Sequence, residues 1–245
     1  MINRIRTAFF TILTVTMLGC TEGFDDVPPD FSDIEVVVTD SISMHQFVAS
    51  IYNELPDGYN RLAENAMLAC VTDEAIHSAP GGNPADLMAK GAWGPTFNPD
   101  DVWESSYAGI RKTNNYFNNI LPLISDKIFS SQARVDLLSG QVHFLRAFFY
   151  FELLKRYGGV PIIEEVLSPD ENINIPRNTF DECLDYIIQQ CDLAYKYVPD
   201  VYPGDNMNDY GRATRGAVLA LKSRAYLYAA SQLFTDPAKT NYHYE

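Results

Sequence analysis

Between Phe144 and Leu154 nine of eleven residues are apolar, Arg146 and Glu152 being the exceptions. A helix that is apolar on nearly all sides is buried on nearly all sides, so this stretch belongs at the centre of the molecule. The pattern predicts a helix from about Ser131 to Tyr157, stopped by Gly158-Gly159 and kept from continuing by Pro161. Arg146 and Glu152 lie six positions apart and face different sides, so each needs its own partner if buried. Arg146 reads as a buried ion-pair member or helix-end donor rather than a ligand contact. Upstream, Trp103, Tyr107, Ile110, Asn114, Phe117 and Leu121 recur in steps of four and three, apolar except for Asn114. That spacing predicts a helix beginning at Asn98-Pro99-Asp100-Asp101 and closed by Pro122, with Trp103, Tyr107 and Phe117 in the core and Asn98 as a cap.

Downstream, Asn178-Thr179 caps a helix to about Val198 whose stripe is Phe180, Leu184, Ile187, Ile188, Cys191 and Ala194. A last helix spans about Thr214 to Phe234, with Ala217, Ala220, Leu221, Arg224, Tyr228 and Ala229 on its contact face. Two shorter helices are predicted near Ser43–Leu55 and Tyr59–Thr72, and strand patterns are confined to Glu35–Thr39 and Val160–Ile163. Antiparallel helix pairs with small contact residues predict an all-α fold, a tetratricopeptide-like superhelix with long loops. No strict period of about 34 residues aligns along the chain, so the repeats are degenerate.

Composition narrows the function. The chain carries 18 basic against 32 acidic residues, a formal charge of -14. Such a balance repels a phosphate backbone and argues against nucleic acid as a partner. Tyr and Phe number 15 and 14, a hint of stacking surfaces, although most aromatics in any protein are simply core. The histidines (His45, His77, His143, His243) are scattered singly, and no Cys/His metal spacing occurs. Cys183 and Cys191 sit on one predicted helix about 12 Å apart, beyond the reach of about 7 Å that a disulfide tolerates. Glu164-Glu165 are adjacent, which in an extended segment sends their side chains apart and makes a poor glycosidase pair. GxSxG, HExxH and P-loop patterns are missing.

The first residues read as an address. Arg4 and Arg6 precede an uncharged run from Thr7 to Leu18, too short to span a bilayer and suited to a secretory signal. It ends in Met17-Leu18-Gly19-Cys20, which resembles a bacterial lipobox with Met17 in place of the usual Leu; Cys20 is then the lipid-attachment residue. Cleavage before Cys20 removes two basic residues and no acidic one, so the mature chain is still more negative. Glu22, Asp25, Asp26, Asp30, Asp33, Glu35 and Asp40 follow, with Pro28-Pro29 among them, as an acidic tether. This acidic patch resembles the surface-export signal of Bacteroidetes lipoproteins; a plain linker is the other reading. The expected organisation is a signal peptide over 1–19, lipidated Cys20 and tether over 20–40, and a helical domain over 41–245.

Four blocks carry a more specific resemblance. Trp103-x3-Tyr107-x2-Ile110-x3-Asn114 is the first. Leu145-Arg146-Ala147-Phe148-Phe149-Tyr150-Phe151-Glu152-Leu153, continuing to Arg156-Tyr157-Gly158-Gly159-Val160-Pro161, is the second. Pro176-Arg177-Asn178-Thr179 with Ile187-Ile188, and Arg212-Ala213-Thr214-Arg215-Gly216-Ala217 running to Tyr226-Leu227-Tyr228, are the third and fourth. In this order they resemble the SusD/RagB family of nutrient-uptake lipoproteins. The resemblance implies a lipid-anchored protein of the outer membrane, facing the cell surface, that binds an oligosaccharide or similar nutrient. It implies a SusC-like TonB-dependent transporter as partner, no cofactor and no catalytic residue. Members of the family are usually about twice as long, so the chain is expected to be an N-terminal half, truncated after Glu245.

The long connection from Asp73 to Asn98 is the candidate ligand loop. It holds Trp93, one of two tryptophans, with Phe97, Asn83 and His77 among several Gly and Pro residues. Sugar sites pair an aromatic plate, covering the apolar face of a pyranose, with polar groups that bond its hydroxyls. Trp93, Phe97 and Asn83 are therefore candidates, and the resemblance adds Asp73, which sits where relatives often carry an Asp after the second helix. Trp93 has a second reading, in which it pins the loop onto the helices. Two other functions stand beside nutrient binding: a surface glycoside hydrolase and a helical assembly scaffold without ligand.

Overall fold

A computed structural model describes residues 40–56, 66–78, 82–94, 96–124, 131–168, 174–202 and 209–235. The signal peptide, Cys20 and nearly all of the tether lie outside these residues, as does the expected strand at Glu35–Thr39. Among the described residues the chain forms α1 (Ser41–Tyr52), α2 (Pro84–Ala89), α3 (Trp103–Asn115), α4 (Gln132–Tyr157), α5 (Phe180–Tyr197), α6 (Arg215–Ala229) and the short α7 (Gln232–Thr235). The most apolar stretch is the central helix, as its pattern predicts. α4 packs against α1, α3, α5 and α6, and α5 packs in turn on α6. Leu138, Val142, Leu145, Phe149, Tyr150, Phe151, Leu153 and Leu154 of α4 are all fully buried. From α3 onward each helix packs on the next, while α2 packs on a 3₁₀ turn at Leu68–Val71, an all-α architecture as the sequence predicts.

Several boundaries and faces differ from expectation, each for a tertiary reason. α3 starts at Trp103 rather than at Asn98, because Asp100 is drawn into an ion pair with Arg156 of α4. Asn98 caps a turn instead, its Oδ1 accepting from the Asp100 N–H at 3.0 Å. At its far end α3 widens into a π turn over Tyr116–Ile120, so the three-and-four spacing no longer holds there. Tyr116 and Ile120 become fully buried while Phe117 and Leu121 are only partly so. α5 buries Cys183, Tyr186, Ile187, Gln190, Cys191 and Ala194, with Leu184 and Ile188 at the margin. On α6 the buried residues are Val218, Leu221 and Ala225, leaving Ala220 and Arg224 exposed along with Leu219, Tyr226 and Leu227. That helix is apolar on more than one side, so period alone could not choose the side that meets α5. The helix expected near Tyr59–Thr72 falls largely outside the described residues, and its described end is a 3₁₀ turn, Leu68–Val71. Cys70, Cys183 and Cys191 are free thiols.

Val160–Ile163, read as a short strand, is an extended strap without a strand partner among the described residues. It runs on to Ser168; the Asn178 N–H donates to Val160 O at 3.2 Å, and beyond that point side chains hold it. The Tyr107 hydroxyl donates to Pro161 O at 2.8 Å, and Asn178 Oδ1 accepts from Ile162 N–H at 2.9 Å. Ile163 N–H donates to the Tyr150 hydroxyl at 2.8 Å. Asn114 Nδ2 donates to both Ile163 O and Glu165 O, and Arg111 to Leu167 O. A polar backbone lying on a helical core without a ladder has to find its partners in side chains, and α3, α4 and α5 each supply some.

Arg146 organises those side chains. It is 4% exposed, yet none of the ion pairs among the described residues includes it. Its guanidinium donates to Asn114 Oδ1 at 2.7 Å, to Thr113 Oγ1 at 3.0 Å and, more weakly, to the Tyr186 hydroxyl at 3.5 Å. It also lies over the Phe117 ring, 4.4 Å from the centroid. The expected ion pair or helix-end bond is thus replaced by neutral acceptors and an aromatic face. The Tyr186 hydroxyl donates onward to Glu164 of the strap at 3.2 Å, which brings a carboxylate within one hydroxyl of the cation. Glu152 does find charged partners, Lys155 at 2.7 Å and Arg156 at 2.6 Å.

The strap begins with two glycines that serve different needs. Gly158 takes φ +70° to end α4, a backbone region that side chains disfavour. At Gly159 an added Cβ would lie 2.0 Å from Asn178 O, on the backbone that leads into the capping box of α5. A carbonyl fixed at a helix cap cannot step aside, so Gly159→Ala should destabilise the fold on the order of 3 kcal/mol. Denaturant unfolding would measure this, and a loss within error of zero would show that the two segments are free to separate.

His143 supplies a pH test of the same core. Its Nδ1–H donates to Gln190 Oε1 at 2.7 Å, and its ring lies 4.4 Å from that of Phe117. Burial, aided by the nearby Arg146 charge, pushes its pKa down to about 4. A histidine held neutral in the fold stabilises it fully above its unfolded pKa of about 6.5. That contribution is lost as pH falls from there towards 4, and amounts to about 3 kcal/mol at most. Urea unfolding between about pH 7 and 4.5 should therefore fall off less steeply in His143→Gln than in the wild type. Equal slopes would mean that the ring is already accessible to protons.

Candidate functional site

The connection between the 3₁₀ turn and α3 is more ordered than a plain loop. Asn83 opens α2 by accepting the Asp86 N–H on its Oδ1 at 3.0 Å, with Pro84 in the first turn. Ala66 and Ala85 are fully buried against Leu68, Cys70, Val71 and Met88, a small apolar cluster separate from the main core. The segment thus carries its own miniature core beside the helical body. After α2, Gly91 turns the chain with φ +69°, and Ala92 N–H donates to Leu87 O at 2.8 Å. Gly94 and Phe97 then exchange both backbone hydrogen bonds, at 2.9 and 3.0 Å, closing a tight turn.

Trp93 and Phe97 flank this turn and are 57% and 49% exposed. Neither belongs to the apolar cluster of the helices or to the small one beside it. More than half of the Trp93 surface is open to water. Asp73 is also exposed and follows the 3₁₀ turn on the same connection. Asn83 behaves differently. It is 3% exposed, its Oδ1 is committed to α2, and its Nδ2 has no acceptor among the described residues. Of the four candidates, the structure joins Trp93 and Phe97 on one turn, leaves Asp73 exposed earlier on the same connection, and turns Asn83 inward as a cap.

The foot of the turn is tied to the C-terminal end of α4. Asp100 takes Arg156 in a two-point grip, Oδ2 to Nε at 2.7 Å and Oδ1 to Nη2 at 2.9 Å. The Tyr157 hydroxyl donates to Asp101 Oδ1 and accepts from the Val102 N–H at 3.0 Å. That hydroxyl, with the Trp103 N–H, holds the Asp101 carboxyl below the usual carboxylate range. These tying residues are not legible as site residues, since Asp100 and Arg156 stand 56 positions apart and only the fold brings them together. Trp103, expected in the core, stands at this rim. It is 37% exposed, beside the Tyr107 and Tyr157 rings at 5.0 and 5.3 Å, because the N-terminal turn of α3 overhangs the end of α4.

Glu164 and Glu165 are exposed on the strap, and Glu164 accepts a hydrogen bond from the Tyr186 hydroxyl. Among the described residues no group of three or more His, Cys, Asp or Glu side chains is placed to hold a metal ion. No helix of the described residues is long and apolar enough to cross a membrane.

Comparison with known proteins places this geometry among relatives. The family profile SusD-like_3, described as starch-binding associating with outer membrane, matches residues 24–227. SusD-like protein P25 and SusD-like protein P2, both of Formosa agariphila, are 24% identical over 127 residues and 28% over 134. These matches cover 52% and 54% of this chain but 23% of each relative, so the chain spans under a quarter of their length in alignment. A SusD-like protein from Bacteroides fragilis shares 30% identity at a TM-score of 0.56, over 79% of this chain and 36% of that one. A laminarin binding SusD-like protein shares the fold at a TM-score of 0.64 and 21% identity, over 77% of this chain and 40% of that one. Surface glycan-binding protein A from Bacteroides uniformis does so at 0.59 and 20%, over 79% and 46%.

The role of Asn83 as a cap is open to a direct test. Asn83→Ala should cost the small unit about 1 kcal/mol. Amide exchange over 84–89 should accelerate while the thermal midpoint of the helical body stays in place. Unchanged exchange there would remove Asn83 from the support of the turn.

Proposed function

The chain belongs to the SusD-like family, whose profile spans residues 24–227, and on that premise we propose that it binds glycan at the outer membrane. In this reading Cys20 is the lipid-attachment residue, residues 20–40 are the tether, and residues 41–245 form the N-terminal helical part of a longer binding protein. The protein faces the cell surface and hands its ligand to a SusC-like TonB-dependent transporter.

The observation that carries the reading is the exposed aromatic pair Trp93 and Phe97 on a turn closed by the Gly94–Phe97 bonds. Large aromatic rings left in water on an ordered turn, outside both apolar clusters, are surfaces available to cover the apolar face of a sugar ring. Asp73, exposed earlier on the same connection, is the candidate for bonding hydroxyls. Asn83 contributes through the helix that it caps. The relatives named for laminarin and surface glycan binding lend support at the level of fold. Binding needs no bond-making residue.

Calorimetry or affinity electrophoresis with laminarin and amylopectin tests the proposal. The wild-type chain should bind one of them, and Trp93→Ala should weaken that binding roughly tenfold or more, as loss of an aromatic anchor does. Wild-type affinity in Trp93→Ala would take the turn out of the site.

A further inference from the structure

Phe97 stands three positions before Asp100, so the pose of the aromatic turn is set by whatever holds Asp100 and its neighbours. Three contacts do so in succession. Asn98 Oδ1 accepts from the Asp100 N–H, folding the chain sharply below Phe97. The Asp100 carboxylate then grips Arg156 at two points, and Arg156 is itself braced by the buried Glu152 at 2.6 Å. Finally the Tyr157 hydroxyl holds both Asp101 and the Val102 N–H. On its other side the turn leads back to α2, whose apolar contacts lie in the small Ala66/Ala85 cluster rather than in the main core. A two-point guanidinium–carboxylate pair fixes orientation as well as distance, which a single bond or a lysine would not.

We propose that Asp100–Arg156 and the Tyr157 hydroxyl are positioning groups that set the pose of the Trp93–Phe97 turn against α4, without touching ligand themselves. The inference rests on the glycan-binding reading for its consequence in affinity, but not for its consequence in loop order. Asp100→Ala leaves Arg156 paired with Glu152, and Tyr157→Phe removes only the hydroxyl, so both variants spare the buried charges of α4.

Hydrogen exchange on the intact chain, together with laminarin and amylopectin titrations, tests it. In each variant the amides of 93–102 should exchange at least about tenfold faster while those of α4 keep their protection. Affinity for whichever glucan the wild type binds should fall about tenfold, and the double variant should lose less than the product of the two single losses. Wild-type exchange over 93–102, or acceleration spread equally into α4, would overturn the inference. So would wild-type affinity in both variants despite a loosened turn. If the wild type binds neither glucan, the glycan reading loses its support, and the exchange data still decide whether these groups hold the turn.

Discussion

A guanidinium removed from water loses hydration that only well-placed acceptors can replace, and Arg146 imposes that demand at the centre of this molecule. No carboxylate answers it directly. Asn114 and Thr113 of α3 and the Tyr186 hydroxyl of α5 supply oxygen, and Phe117 supplies the negative face of its ring. α3, α4 and α5 must therefore meet at one geometry, since the acceptors come from two helices and the donor from the third. Asn114 then has only its amide nitrogen left, and it spends both donors on the strap at Ile163 O and Glu165 O. Satisfying one buried charge thus fixes the packing of three helices and the path of the segment that crosses them.

The same logic accounts for the residues that make the family recognisable. In the second block Arg146 is the buried donor, Tyr150 bonds the strap, Gly158 ends the helix and Gly159 admits the backbone of residue 178. In the third, Arg177 donates to Gly159 O and Tyr157 O, Asn178 takes the Ile162 N–H, and Thr179 forms a capping box with Glu182. In the fourth, Arg212 reaches Gln141 of α4, Thr214 caps α6, and Arg215 pairs with Asp200. These residues hold the scaffold; they are a poor guide to what the scaffold binds. The aromatic turn lies outside all four blocks, as surface loops that carry specificity commonly do.

Much of the fold was legible. The apolar run of α4, the glycines after it and the Thr179 cap each act over a few residues, so the chain itself states them. The faces of α5 and α6 were less so, because Cys183, Tyr186 and Gln190 are buried by what stands opposite them rather than by their own hydrophobicity. In the candidate site, composition pointed to Trp93 and Phe97, which the fold leaves exposed. It could not separate Asn83, a polar residue turned inward to cap α2, from a polar residue turned outward.

By itself, then, the sequence determined the helix order, the central place of α4, the strong acidic balance and the membership that the ordered blocks announce. All of these depend on local propensity, on period or on motif order, which are properties of neighbours in the chain. Only the tertiary structure decided that Arg146 is satisfied by neutral groups, that Val160–Ile163 is a strap instead of a strand, and that Trp103 stands at the rim. It alone joined Asp100 to Arg156 and Asp101 to Tyr157, placing the foot of the aromatic turn on the end of α4. Burial and hydrogen-bond partnership depend on which groups meet across distant stretches of chain, and no local pattern encodes that meeting.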